Sequence, residues 1–174
     1  MTKLAKQISS RLKQLRQDAG WSLDKTAAET GVSKAMLGQI EREESSPTIA
    51  TLWKIANGFN VSFSSFIAEA KKPSTALLKD DKIEAQTLFA YDETVRCEIF
   101  VIELLPGCEH ISPAHKPGVI EHVIVVEGSM ELFKEGAWSK LTKGQAVRFS
   151  ANEQHGYRNP NKKVARIHNI IHYT

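Results

Sequence analysis

His115, Glu121 and His122 stand within eight residues of one another, in HKPGVIEHVIVVEG at positions 115 to 128, before a β-branched run that ends in glycine. Imidazole nitrogen and carboxylate oxygen are the ligand atoms that zinc and its first-row neighbours take from proteins. All six histidines of the chain (His110, His115, His122, His155, His168 and His172) lie beyond residue 72. Metal-capable side chains at the mouth of a strand serve the active site of a metalloenzyme or the pocket of a sensor. Which of these applies depends on the elements that position the residues and on what the rest of the chain is for.

The chain has 174 residues, enough for one ordinary domain or two small ones. Hydrophobic residues at 41% and charged residues at 25% are typical of globular proteins. No apolar run approaches the ~20 residues of a membrane span. The opening MTKLAKQISSRLKQLRQ is polar and helical in pattern, without the apolar core of a signal peptide. A cytoplasmic location is therefore expected, with Cys97 and Cys108 as free thiols. Charge is unevenly spread. Residues 1–72 carry 11 Lys and Arg against 7 Asp and Glu, whereas residues 73–174 carry 12 against 13. The basic excess and the histidines occupy different parts of the chain, which implies a division of labour.

The periodicity divides in the same place. In ISSRLKQLRQDAG, Ile8, Leu12 and Leu15 follow the i, i+4, i+7 spacing of an amphipathic helix. SLDKTAAET and SKAMLGQIER begin with serine caps at Ser22 and Ser33, PTIATLWKIANGF repeats the apolar pattern, and SFSSFIAEA closes a bundle of five short helices. From about residue 83 the period becomes 2, in VRCEIFVIEL, EHVIVVEG, SMELFKE, KLTKGQAVRFS and VARIHNIIHY, with Gly107, Gly118, Gly128, Gly136, Gly144 and Gly156 as punctuation. Strands with no helix between them argue for a closed β-sandwich or barrel. The expected architecture is α+β in two domains: residues 1–70 helical, 71–82 a linker and 83–174 the barrel.

In the helical part, Gly31-Val32-Ser33 makes the tight glycine-containing turn that a helix-turn-helix requires. With Leu37 and Ile40 buried, the opposite face of the next helix is expected to show Lys34, Ala35, Gly38 and Gln39. Glutamine grips adenine in a bidentate way, lysine reaches guanine or phosphate, and Ala and Gly let the helix lie deep in a major groove. The frame of GVSKAMLGQIEREESSPTIATLWKIANGFNV resembles the lambda-repressor-like (Xre-type) helix-turn-helix domains of bacterial regulators over about residues 6–68. That family commonly has Gln at the first turn of the second helix, where Leu23 stands here. Phosphate contacts are therefore expected from Lys25, Lys34, Arg42 or helix N-termini. Glu41 and Arg42 are expected to form a helix-end ion pair, and Met36 to pack.

The β part resembles the cupins, small β-barrels (double-stranded β-helices) with a central pocket. Of the family's first motif, Gly107, His115, Glu121 and Gly128 are present, with Pro113 where the first His belongs and five residues between His115 and Glu121, one more than the family pattern. Of the second motif, Gly144, His155 and Asn159 are present, with Ser150 and Asn152 replacing Pro and Gly. The resemblance implies a metal set of His115, Glu121 and His155 for one divalent ion, zinc first, with iron, manganese and nickel also compatible with three N/O ligands and an open position. His122, next to Glu121 on a period-2 strand, is expected on the other face. Val123, Val125, Phe149 and His168 are expected to line the pocket, with Arg148 facing out and His172 peripheral.

Over its whole length the sequence resembles cupin-bearing transcriptional regulators of the sulphur-utilisation type, which share the HxxGVIEH variant. The resemblance implies a homodimeric, sequence-specific DNA-binding regulator whose barrel senses a small metabolite such as a sulphur amino acid, and which is not an enzyme. Two alternatives compete with it: a cupin dioxygenase or isomerase with an accessory helical domain, and a DNA-binding protein whose barrel only dimerises.

Overall fold

The computed structural model describes residues 3–67, 77–80 and 82–174. The chain divides into two compact units, Met1–Glu69 and Ala70–Thr174. In the first, four helices are α1 (Lys3–Asp18), α2 (Leu23–Thr30), α3 (Lys34–Glu41) and α4 (Ile49–Phe59). Each short helix starts on a side-chain cap. Ser22 accepts a bond from the Lys25 amide, Ser33 from Met36 and Thr48 from Thr51, satisfying amides that the helix itself leaves free. Gly31 ends α2 at φ +65°, a left-handed conformation that glycine takes without steric cost, and this sets the turn into α3. The core is Ile8, Leu12, Leu37, Ile40, Leu52, Ile55, Phe63 and Phe66, all nearly inaccessible to solvent.

The expected fifth helix is only a 3-10 turn, Phe63–Phe66. Its Ser62 cap makes no side-chain bond, and the bonds from Ser65 N to Ser62 O and from Ile67 N to Ser64 O have the tighter i→i+3 pattern. Phe63 stacks on Trp53 and both phenylalanines are buried, so tertiary packing holds the turn. Residues 68–70 of SFSSFIAEA lie outside the described residues.

The second unit contains ten strands among the described residues: β1 (Leu77–Asp80), β2 (Ile83–Asp92), β3 (Cys97–Leu104), β4 (Glu109–Ser112), β5 (Val119–Glu127), β6 (Ser129–Lys134), β7 (Ala137–Thr142), β8 (Ala146–Ser150), β9 (His155–Arg158) and β10 (Ala165–Tyr173). They form a six-stranded sheet in the order β1-β2-β3-β10-β5-β8 and a four-stranded sheet in the order β4-β9-β6-β7, all pairs antiparallel. Leu77–Asp80 fall within the stretch read as linker, yet they pair with β2. A four-residue strand is too short for its period to show in sequence. Most of the remaining linker stretch lies outside the described residues.

Strict alternation sets the inner face. β5 buries Val119, Glu121, Val123 and Val125, and β10 buries Ala165, Ile167, Asn169 and Ile171. Gly156, read as a turn, sits inside β9. A Cβ there would meet the His110 carbonyl oxygen at 2.6 Å, so glycine lets β4 and β9 approach. Both cysteines are free thiols. No helix among the described residues is long and apolar enough to cross a membrane.

Candidate functional site

In the helical unit, α3 exposes Lys34, Ala35 and Gln39. Ala35 and Gln39 are four residues apart and therefore stack on one face of the helix. Gly38 is buried, contrary to expectation, because the Arg42 guanidinium folds over it; a Cβ on Gly38 would lie 3.0 Å from Arg42 Nη1. The three candidate phosphate-binding cations each hold an acidic neighbour: Lys34 with Asp24 at 2.8 Å, Lys25 with Glu29 at 2.5 Å and Arg42 with Glu44 at 2.8 Å. The expected Glu41–Arg42 pair does not form. Glu41 instead takes a two-bond contact from Arg16 of α1, at 2.6 and 2.9 Å, while Ser9 donates to the Glu41 carbonyl. The reach from α1 is long-range, so the sequence around Glu41 does not announce it.

In the β unit, His115, Glu121 and His155 converge, all three buried, with one ligand atom of each lying within 4.8 Å of the others. Three different elements bring them together. Glu121 comes from the inner face of β5, and His155 from the start of β9. His115 lies in the connection from β4 to β5, where its amide donates to the Ala151 carbonyl at 2.7 Å. Glu121 Oε1 lies 3.0 Å from His115 Nε2 and 3.2 Å from His155 Nε2. Glu121 Oε2 accepts from the Tyr157 hydroxyl and, at 3.1 Å, from Asn169 Nδ2. Burial alone would push the Glu121 carboxyl up; the contacts from His115 and His155 outweigh it and hold the group well below the usual carboxylate range.

His155 shows what the cluster is built for. Its Nδ1 faces the Glu153 carbonyl at 2.9 Å, so the proton of the neutral ring sits there and Nε2 keeps its lone pair. That Nε2 is buried and points at Glu121 Oε1, 3.2 Å away, off the line of a good hydrogen bond. A lone pair turned towards an anion calls for a cation between them. In its absence burial pushes the His155 imidazole down, and the stronger pull of Glu121 raises it above its ordinary value so that it holds a proton. A backbone carbonyl behind a ligating imidazole is also how metal-binding histidines are usually oriented. The donor set of two imidazoles and one carboxylate therefore fits a divalent metal.

Val123 and Val125 are fully buried on the same inner face as Glu121, and the Phe149 ring centroid lies 5.4 Å from that of His155. His168 does not line this interior. Asn169 reaches Glu121, which places residue 169 inside and, with a period of 2, turns His168 to the outer face. His122 is likewise outside, paired with Arg148 and Ile170. Sequence reasoning missed Asn169 and Tyr157. Both were signalled: Asn169 is the one polar residue in the buried phase of ARIHNIIHY, and Tyr157 lies two residues beyond His155 on the same strand.

Residues 12–66 match the helix-turn-helix family model, and residues 100–171 match the cupin domain model. The chain is 48% identical to the HTH-type transcriptional regulator SutR of Escherichia coli (strain K12), over 99% of this chain and 98% of that protein. It is 26% identical to the HTH-type transcriptional regulator PuuR of the same organism, over 90% of each. Among solved structures, an HTH_3 family transcriptional regulator from Vibrio cholerae superposes with a TM-score of 0.90 at 46% identity, covering 98% of this chain and 97% of that one. The cupin domain of an XRE family transcriptional regulator from Enterobacter cloacae superposes with a TM-score of 0.53 at 38% identity, over 54% of this chain and 99% of that one.

Proposed function

The chain belongs to the helix-turn-helix transcriptional regulators that carry a cupin domain, and from that premise we propose that it is a cytoplasmic, ligand-responsive regulator whose barrel binds a divalent metal and a small metabolite. The observation that carries the sensor half is the buried His115–Glu121–His155 cluster, in which both Nε2 atoms face Glu121 Oε1. His115 Nε2, Glu121 Oε1 and His155 Nε2 would hold the metal. When bound, the metal supplies a positive centre to which a carboxylate or amine can bind. The effector is a small zwitterionic or anionic molecule, a sulphur amino acid first, with its apolar part against Val123, Val125 and Phe149. The relatives are named regulators of transcription, which supports sensing over catalysis.

DNA is read by α3. Ala35 and Gln39 face the bases, and Lys34, Lys25 and Arg42 exchange their acidic neighbours for phosphates. Exposed ion pairs of this kind are screened by water and salt, so releasing them costs little. One short helix buries too little surface for tight specific binding. A two-fold dimer reading half-sites ~34 Å apart solves this. The dimer platform is the outer face of the six-stranded sheet, where Val101, His168 and Ile124 lie side by side and Ile170 follows in the next outward row, between Ile99 and His122.

Calorimetry on the full chain tests the reading: zinc first, then methionine, cysteine and a non-sulphur amino acid, each followed by operator binding. Zinc should bind once per chain, and one sulphur amino acid should release heat and alter DNA affinity. No heat from zinc or any amino acid, unchanged by His115→Ala with His155→Ala, leaves the barrel as a dimerisation device.

A further inference from the structure

We propose that Tyr157 and Asn169 are positioning residues that make Glu121 a one-oxygen ligand, so that a metal in this cluster takes three donor atoms from the protein and leaves the rest of its coordination sphere to an exogenous molecule. The inference rests on the metal reading above. Its basis is the way the two carboxylate oxygens of Glu121 are divided. Oε2 accepts from the Tyr157 hydroxyl and from Asn169 Nδ2, both buried, while Oε1 alone faces the two histidines. A buried hydroxyl and a buried amide that lose their acceptor have no water to turn to, so swinging Oε2 towards a metal leaves both unsatisfied.

The donors come from opposite sheets, Tyr157 from β9 and Asn169 from β10, so no single rotation of Glu121 escapes both. Tyr157 suits a permanent donor, because its buried hydroxyl is aimed at Glu121 Oε2. The amide orientation of Asn169 follows from the same network, because reversing it would set its carbonyl oxygen against Glu121 Oε2. As placed, Asn169 Oδ1 is buried and has no hydrogen-bond partner, so Nδ2 is the half of the amide that is engaged. With a full cupin set a fourth protein ligand would be at hand; here Pro113 stands at that place in the motif. A carboxylate free to chelate would fill part of this gap. The clamp prevents it and keeps the sphere open.

The test uses Co(II) alone as the probe on the full-length protein, read by affinity and by the visible absorption of the bound ion, which is intense at low coordination number and weak at six. Tyr157→Phe and Asn169→Leu keep the packing and remove one donor each; thermal melts of the metal-free proteins establish that they fold. Each variant should bind Co(II) about 10- to 100-fold more weakly, with a lower absorption intensity as Oε2 joins the metal. Asn169→Gln, which restores an amide donor, should recover part of the wild-type spectrum. If one variant does not fold, the other decides. Folded variants with wild-type affinity and spectrum overturn the inference and leave the metal reading standing. A wild-type protein that takes up no Co(II) overturns both.

Discussion

His155 is the residue on which the barrel turns from a passive core into a binding site. Without metal it and Glu121 form a buried charged pair. The His155 imidazole is raised above its ordinary value, by Glu121 against the opposing effect of burial, and the Glu121 carboxyl is lowered. The two contributions to stability have opposite signs in pH. That of Glu121 is fully present above about pH 4.3, the unfolded value, and is lost as the pH falls through its lower folded value. That of His155 is full below about pH 6.5 and fades as the pH rises through its raised folded value. The metal-free protein should therefore lose stability as the pH climbs from about 6.5. Saturating zinc should abolish that decline, which urea titrations at several pH values would show. A flat profile in the metal-free protein would mean that the pair is not charged. At this scale the three residues that converge were named from the sequence, whereas Asn169 and Tyr157, which hold Glu121, were signalled there and not read. The histidine chemistry favoured His168, but the apolar phase of β10 had already assigned the inside to Asn169.

Element α3 has two faces with different duties. Its inner face, Leu37 and Ile40, is core, and its far end is tied to α1 through Arg16–Glu41 and Ser9. Glu41→Ala removes a two-bond, mostly buried contact and leaves Arg16 partly unpaired, so it should destabilise the helical unit by about 2 kcal/mol. Chemical denaturation should show the loss confined to that unit. Gln39→Ala, on the outer face, should leave stability unchanged and lose about 1–3 kcal/mol of discrimination at one base position. Lys34→Ala should weaken all sequences alike and reduce the salt slope by about one. Gel-shift titrations against an operator and its single-base variants separate the two outcomes; unchanged binding in both mutants would remove α3 from the interface. Helices α2 and α3 were legible in the sequence because their serine caps and Gly31 are local signals, and α4 because its apolar period is. The fifth was not, because Phe63 and Phe66 are placed by packing. The burial of Gly38 was hidden for the same reason: it depends on where Arg42 folds.

For the molecule as a whole, the dimer proposal sets a further test. Ile170→Glu on the outer sheet face brings two like charges together across a two-fold interface. It should yield monomers in light scattering and abolish operator binding, while Co(II) uptake by the barrel persists. The two-unit organisation was legible from the change of period near residue 83, and β1 was missed because four residues carry no period. The six-stranded sheet has a property that its order conceals. β10 lies between β3 and β5, so β3, paired with β2, and β5, paired with β8, each keep one open edge until residues 165–173 arrive. A nascent chain displays a finished DNA reader, with its own core, while the sensing half is still an open set of edges. A ribosome that stalls or a message cut short before codon 165 would release the complete helical unit joined to an unfinished barrel.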